Sequence, residues 1–271
     1  MAYRVGGTVL RFPLDPQYAE SLHVEAAVMR ELAPTLPLPV STIVVHAEGP
    51  NGLPFTSHAL VAGVRVRELG RPLNEHAGAV LGRFLRAMHD FPTNRAAELG
   101  LSIPSTHAIQ AGRLAFYERV QQQVLPLVDD TAASYARRRF EEFFEDPANF
   151  QWIPRVSHAD IDTNNVLADP DTGEITGIID WGDITAGDPA SDFTDILYGS
   201  LGDAGLRAQL PSLAAACGVH ADEIEQMRPR CRFYYFCWPL HEVLYGLESD
   251  NQAFVDSGLE WLSRFAASGA P

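Results

Sequence analysis

The sequence predicts an α+β protein with a small β-rich N-terminal part and a larger, mainly helical C-terminal part. Three observations carry that expectation. Short β-like runs separated by Gly, Pro and Asn turns occupy the chain up to Val61. From Asn74 onward, apolar residues recur at helical spacing in successive segments. One cluster of β-like runs, at 156–157, 166–168 and 175–179, interrupts the helical part, and polar residues stand at its ends.

Taken in order, Tyr3–Val5 and Thr8–Phe12 flank Gly6-Gly7, a pair that tolerates the positive φ angles of a tight hairpin. Asp15-Pro16 reads as a helix cap followed by a first-turn proline, and Tyr18, Leu22, Ala26, Met29 and Ala33 then recur at helical spacing. Glu25 falls beside that apolar stripe, so its carboxylate needs a partner. After Pro34, Pro37 and Pro39, strands are expected at 42–47 and 55–61, with Gly49-Pro50-Asn51-Gly52 as the turn between them.

The segment from Asn74 carries Ala77, Val80, Leu81, Phe84, Leu85 and Met88 on one helical face, and Pro92 stops it. His89 falls on the same face as a core histidine. Further helices are expected at 109–124, 132–144, 190–200, 207–216, 223–247 and 252–265, with Pro229 and Pro239 breaking or kinking the long one. Asp188-Pro189 reads as another cap, with Asp192 one turn on as a structural acid. The border between the two parts is placed near Gly63, giving 1–62 and 63–271.

Composition narrows the class. A hydrophobic content of 46% over 271 residues supports a substantial core without disulfides. Cys217, Cys231 and Cys237 form no CxxC pair and suit buried thiols in a reducing cytoplasm. The start of the chain lacks signal-peptide character and no apolar run reaches membrane-spanning length, so a cytoplasmic protein with no membrane partner is expected. A net charge of -15 disfavours nucleic acid; it suits a cationic ligand, or solubility alone. The oligomeric state is not set by the sequence.

The chemistry concentrates in one region. His158, Asp160 and Asn165 have the spacing of a kinase catalytic loop, and fifteen residues later the run Ile178-Ile179 ends in Asp180. The turn Asp169-Pro170-Asp171-Thr172-Gly173 between them predicts a hairpin that returns Asn165 and Asp180 to the same end. Phosphoryl transfer needs a carboxylate near the acceptor hydroxyl and hard oxygen ligands for Mg²⁺, which Asp160 and the pair Asn165 and Asp180 can supply. Alone, His-x-Asp would be a loop histidine and a turn-capping acid. Asp162 and Asp183 lie close enough to adjust the site or meet a cationic substrate, unless they are solvated loop acids. Glu242, Glu248 and Asp250 are acids of the late helices that could line an acceptor pocket.

The stretch VSHADIDTNNVLADPDTGEITGIIDWGDITAGDPASDF resembles the signature region of the aminoglycoside phosphotransferase family, whose fold is bilobal and protein-kinase-like. The likeness extends over most of the chain, through LRFP at Leu10–Pro13, Glu25, PLPV at Pro37–Val40, Gly63, LGRFLRAMH at Leu81–His89 and FYYFCWPLHEVLYGL near the end. It implies a nucleotide-binding lobe at 1–62 and a helical lobe at 63–271 with the catalytic loop and acceptor site. The implied reaction moves the γ-phosphoryl group of ATP or GTP, with Mg²⁺, to a hydroxyl of a small molecule such as an aminoglycoside, a macrolide or a metabolic alcohol. Carried over by position, Asp160 matches the catalytic base, Asn165 and Asp180 the metal ligands, and His158 the histidine that props the loop. Glu25 matches the carboxylate that pairs with a phosphate-gripping cation. That cation is Arg11 here, where many relatives have lysine. Ala59 to Val61 match the hinge that offers backbone groups to adenine.

One departure from the family pattern stands out. Relatives carry an additional strand and a phosphate-covering loop ahead of the strand matching Tyr3–Val5, and Gly6-Gly7 reads as a hairpin turn rather than that loop. A displaced chain start explains this; so does nucleotide binding without the cover. A nucleotide-binding pseudokinase or interaction protein is therefore the rival expectation. A metal-dependent hydrolase using His158 and Asp160 is a third, weakened by the lack of a second closely spaced histidine motif.

Overall fold

The computed structural model describes residues 2–13, 17–49 and 52–269, with backbone alone for 17–20. The cap at Asp15-Pro16 and the turn residues Pro50 and Asn51 lie outside the described residues. The chain divides into two compact units, one formed by 1–103 with 154–224 and the other by 104–153 with 225–271.

In the first unit, β1 (Ala2–Val5) and β2 (Thr8–Arg11) form the expected hairpin, with Gly6 at φ +61 in the turn. The helix α1 (Gln17–Leu32) follows and buries Leu22, Val28, Met29 and Leu32. The strands β3 (Val44–His46) and β4 (Phe55–Ala59) complete a four-stranded antiparallel sheet in the order β1-β2-β4-β3. The register sets Arg11 opposite Thr56, so the guanidinium is carried by a strand paired on both sides. Beyond it lie a two-residue strand, β5 (Val64–Arg65), then α2 (Ala77–His89) and α3 (Thr93–Glu98). Neither β5 nor α3 has enough residues to show a period, and the sequence predicted neither.

The chain then enters the second unit with α4 (Thr106–Gln123) and α5 (Asp130–Glu145), capped by Ser105 and Asp129. It returns to the first unit through β6 (Arg155–Ser157), β7 (Val166–Ala168), β8 (Ile175–Ile178) and β9 (Thr185–Gly187). Here β7 pairs with β8 and β5, while β6 pairs with β9. The Pro39 carbonyl accepts from Ile178 N at 3.1 Å and ties the proline-rich segment to this hairpin.

The helix expected at 190–200 is a 3-10 turn, Pro189–Phe193, followed by the short α6 (Thr194–Tyr198). Asp188 caps the turn as predicted, accepting from Ala190 N. Asp195 ends α6 by taking the backbone N–H groups of Ser200 and Leu201. The next helix, α7 (Leu210–Cys217), closes the unit, and Cys217 is buried as expected.

The second unit is completed by α8 (Ala221–Glu248), whose first turn belongs to the other unit, and α9 (Gln252–Ser268). Neither Pro229 nor Pro239 breaks α8, which is one helix with both prolines inside it. An internal proline costs about 3 kcal/mol; burial of Phe233, Phe236, Leu240, Val243 and Leu244 on the same helix offsets it. These side chains meet α5 in an aromatic core where Phe143 and Phe233 stack at 3.7 Å and Phe140 meets Phe236 edge-on. No helix among the described residues is long and apolar enough to cross a membrane.

Candidate active site

The site is built where β6 ends and the chain turns into β7. His158 is completely buried, with its ring 4.6 Å from Trp181. Its Nε2 lies 3.0 Å from the Ile179 carbonyl, and its Nδ1 accepts from Asp160 N at 3.3 Å. A carbonyl only accepts, so Nε2 carries the proton. Burial holds the His158 pKa below its usual value, opposed by the Asp192 charge, so the ring is neutral near pH 7. Both nitrogens are committed to the loop and to the residue before Asp180, which leaves no lone pair for a transition metal.

Ala159 sits at φ +66, a left-handed conformation unusual for alanine, and presents Asp160. The Asp160 carboxylate accepts from Asn165 Nδ2 at 2.7 Å, and the same amide nitrogen reaches the Asp160 carbonyl at 2.9 Å. Burial, then the charges of Asp162 and Asp183, push the Asp160 carboxyl up to about 7 despite the Asn165 hydrogen bond. Asp162 turns back on its own loop and accepts from Asn164 N at 2.7 Å and Asn165 N at 3.0 Å. Asn164 in turn accepts from Arg67 Nη1.

The expected hairpin is present. Val166 pairs with Ile178, and Ile179 N donates to the Asn165 carbonyl at 2.9 Å, so the backbone places Asp180 beside Asn165. Asp180 is the second left-handed non-glycine residue of the site, at φ +66, and its carboxylate lies 2.8 Å from Arg11 Nη2. The other terminal nitrogen of Arg11 is 3.9 Å from Glu25 Oε1. Glu25 is 3% exposed and its Oε1 has no hydrogen-bond partner. Burial, only partly countered by Arg11, pushes its carboxyl up to about 7. The chain contains no lysine, so arginine is the only side chain able to supply a permanent cation here.

Two cavities meet at Arg11 and Asp180. One, of about 340 Å³, is lined by Val9, Leu60, Val61, Val64, Leu167 and Ile179, with His58, Arg65 and Glu68 also on its wall. The other, of about 390 Å³, is lined by Glu25, Asp160, Gly182 and Asp183. Val61 thus faces the first cavity, whereas Ala59 is held in β4 opposite Thr8 and does not line it. Leu60 N is tied to the Gly7 carbonyl at 2.8 Å. Gly63 turns the chain at φ +121, where a Cβ would press on the Thr176 hydroxyl. Glu242 belongs to α8 in the second unit, and Glu248 there pairs with Arg119 at 2.5 Å.

The donor set fits a magnesium ion. With Asn165 Nδ2 spent on Asp160, its Oδ1 remains as an acceptor, and Asp180 adds a carboxylate, both hard oxygens. Magnesium keeps several waters and takes one or two carboxylates along with substrate phosphates. It therefore does not require the three-residue clusters of His, Cys, Asp or Glu that are absent among the described residues.

Sequence reasoning did not find the partners that hold this site in place. Asp192 accepts from Ala159 N at 2.8 Å and from His89 Nε2 at 2.8 Å, and Arg67 N donates to the Thr163 carbonyl at 3.1 Å. The signal available was an acid predicted on a buried helix turn together with a histidine on an apolar face.

A fold with a two-cavity site of this kind, an acid-bearing loop and a hairpin that presents paired oxygen donors, defines a phosphotransferase. The model of the phosphotransferase enzyme family (APH) matches residues 2–234, and the chain belongs to that family. No curated protein sequence matches it. Among solved structures, the GDP complex of wild-type aminoglycoside 2'-phosphotransferase-IIIa is similar with a TM-score of 0.83 at 24% identity, covering 99% of this chain and 89% of that one. The gentamicin complex of APH(2")-IIa gives 0.69 at 18% identity, covering 94% and 84%. Macrolide 2'-phosphotransferase MphH from Brachybacterium faecium gives 0.65 at 19% identity, with coverage of 94% and 84%.

Proposed function

We propose that this protein transfers the γ-phosphoryl group of ATP or GTP to a hydroxyl of a small, cationic molecule, with an aminoglycoside as the first choice. The observation that carries the reading is the Asn165 amide, which donates to the Asp160 carboxylate while its backbone carbonyl receives the N–H next to Asp180. One residue thereby joins the acid that faces the acceptor to the acid that faces the phosphates.

In this reading Asp160 receives the proton of the acceptor hydroxyl as the oxygen attacks phosphorus and the nucleoside diphosphate leaves. An acid with a pKa of about 7 is matched to that task near neutral pH. Asn165 Oδ1 and Asp180 would hold Mg²⁺, which supplies neutralisation of the phosphate charge. Arg11 grips the phosphates, steadied by Glu25, and its planar fork reaches both Asp180 and Glu25 through different nitrogens. His158 keeps the loop in place without touching substrate. The nucleotide base occupies the cavity beside Val61 and Leu167, with Leu60 and Val61 on its wall and Ala59 outside it in β4. Asp183 lines the neighbouring cavity and offers a carboxylate to a cationic acceptor, a choice that the net charge of -15 favours. The structural relatives captured with GDP, kanamycin, and streptomycin with ATP support the same substrate classes. Dependence on ATP or GTP assigns the work to the cytoplasm.

The test is a screen of kanamycin, gentamicin, streptomycin, a macrolide and small metabolic alcohols with Mg-ATP and Mg-GTP. Phosphorylated product with at least one acceptor, lost in Asp160→Asn, supports the reading. Nucleotide binding without turnover against all of them favours the pseudokinase alternative.

A further inference from the structure

We infer that Glu68 selects guanine over adenine, so that GTP is the phosphoryl donor this chain prefers. The inference rests on the reading of the cavity beside Val61 as the nucleotide-base site. Arg11 and Asp180 stand at the phosphate end of that cavity, and away from them the polar side chains on its wall are His58, Arg65 and Glu68. The backbone at 59–62 has three of its polar groups already engaged. Leu60 N donates to the Gly7 carbonyl at 2.8 Å, and the Ala62 carbonyl accepts from Thr176 Oγ1 at 2.7 Å. The Ala59 carbonyl lies 2.9 Å from His58 Nδ1, so that nitrogen carries the proton. This leaves His58 Nε2 one lone pair, open to an amine of either base. Side chains therefore carry most of the base choice.

Glu68 is set on a fixed piece of backbone. Val66 and Leu69 on either side of it are buried, Arg67 N donates to the Thr163 carbonyl at 3.1 Å, and Leu69 N closes the turn on the Val66 carbonyl at 3.1 Å. Among the described residues the carboxylate has one hydrogen bond, from Arg67 Nε to Oε1 at 3.4 Å, so it is open to a ligand. Guanine presents two adjacent N–H groups, at N1 and N2, which one carboxylate accepts together. Adenine presents a single amine beside the lone pair of its N1. The same carboxylate then gains one bond and sets its second oxygen against that lone pair. A charge-assisted pair of bonds for one base and a repulsive contact for the other together make the selection. Arg65 only donates, and the guanine O6 next to N1 is an acceptor for it.

The experiment measures dissociation constants for GDP, IDP and ADP with Mg²⁺ by titration calorimetry, on the full chain and on Glu68→Ala and Glu68→Gln, with thermal midpoints to confirm folding. Inosine keeps N1–H and lacks the N2 amine. The parent should bind GDP about tenfold or more tighter than ADP, with IDP between them, since a charge-assisted bond is worth about tenfold. Glu68→Ala should weaken GDP about tenfold and move ADP by less than about threefold. Glu68→Gln offers an oxygen to the adenine amine and an N–H to its N1, and should bring GDP and ADP within about threefold of each other. If Glu68→Ala fails to fold, Glu68→Gln decides. A parent that binds ADP as tightly as GDP overturns the inference, and so does a preference unchanged in Glu68→Gln. Equal losses of GDP and ADP in Glu68→Ala, the mark of a contact to ribose or phosphate, overturn it as well. Each of these leaves the phosphotransferase reading standing wherever Mg-ATP or Mg-GTP still phosphorylates an acceptor. No binding of any of the three nucleotides removes the base site, and the inference with it.

Discussion

Arg11 lies 2.8 Å from Asp180 through one terminal nitrogen, while its other remains 3.9 Å from Glu25, a buried carboxylate whose Oε1 has no hydrogen bond. A single guanidinium therefore lies between two acids, each approached by a different terminal nitrogen. Lysine would have to serve both partners from one ammonium nitrogen, a different reach and geometry from the guanidinium fork. Arg11→Lys should raise nucleotide KM by about tenfold, and Arg11→Ala should lower kcat/KM by about a hundredfold or more. Steady-state kinetics over a nucleotide series measure both.

Glu25 leaves a mark on stability. Its carboxyl is pushed from 4.5 to about 7 by burial, so between those values the folded protein binds more protons than the unfolded chain. Stability falls as pH rises across that window, and the loss is complete above it. Glu25→Gln should be more stable than the parent at pH 8 by about 1–3 kcal/mol, with the difference vanishing below pH 4.5. The same variant should bind nucleotide more weakly, because Arg11 loses its anchor. Urea denaturation at two pH values, paired with nucleotide titration, reads both effects.

Asp160 should set the acid limb of the activity profile. With its carboxyl at about 7, turnover falls as pH drops through that value and the base becomes protonated. Asp160→Asn should remove at least about a hundredfold of activity and abolish that limb. It should not destabilise the protein above pH 7, since the raised pKa means that the charged form opposes folding there. A pH-rate profile and a melting curve at pH 8 test the two halves of this expectation.

His158 has the opposite linkage. Burial keeps its pKa below 6.5, so protonation favours the unfolded chain and the stability it contributes is lost as pH falls below about 6.5. His158→Ala leaves the Ile179 carbonyl and the Asp160 N–H without their partner and a void beside Trp181. A loss of about 2–4 kcal/mol is expected, with a flatter dependence of stability on pH between 5 and 7. Equilibrium unfolding across that range checks it.

Much of this architecture was legible in the sequence because its signals are local. The hairpin at Gly6-Gly7, the stripe of α2 and the turn between β7 and β8 depend on residues a few positions apart, and the bond of Ile179 N to the Asn165 carbonyl follows from that turn. Strands β5 and β9 were missed because two or three residues have no period and exist only through β7 and β6. Whether Pro229 and Pro239 would break the long helix was not legible, because proline rules are local and the aromatic core that carries α8 through them is not. The acid Asp192 looked like part of a helix start; its bonds to Ala159 and His89 join residues 33 and 103 positions away. The contact of Arg11 with Asp180 likewise spans most of the first unit and leaves no mark in spacing.

The most direct test follows label from γ-labelled ATP and GTP into kanamycin and the other acceptors, with the parent protein, Asp160→Asn and Asp180→Asn side by side. Magnesium-dependent transfer by the parent, reduced at least about a hundredfold in both variants while they remain folded, is the expected result. Transfer that survives either substitution, or proceeds without a divalent cation, would contradict an active site built on Asp160, Asn165 and Asp180.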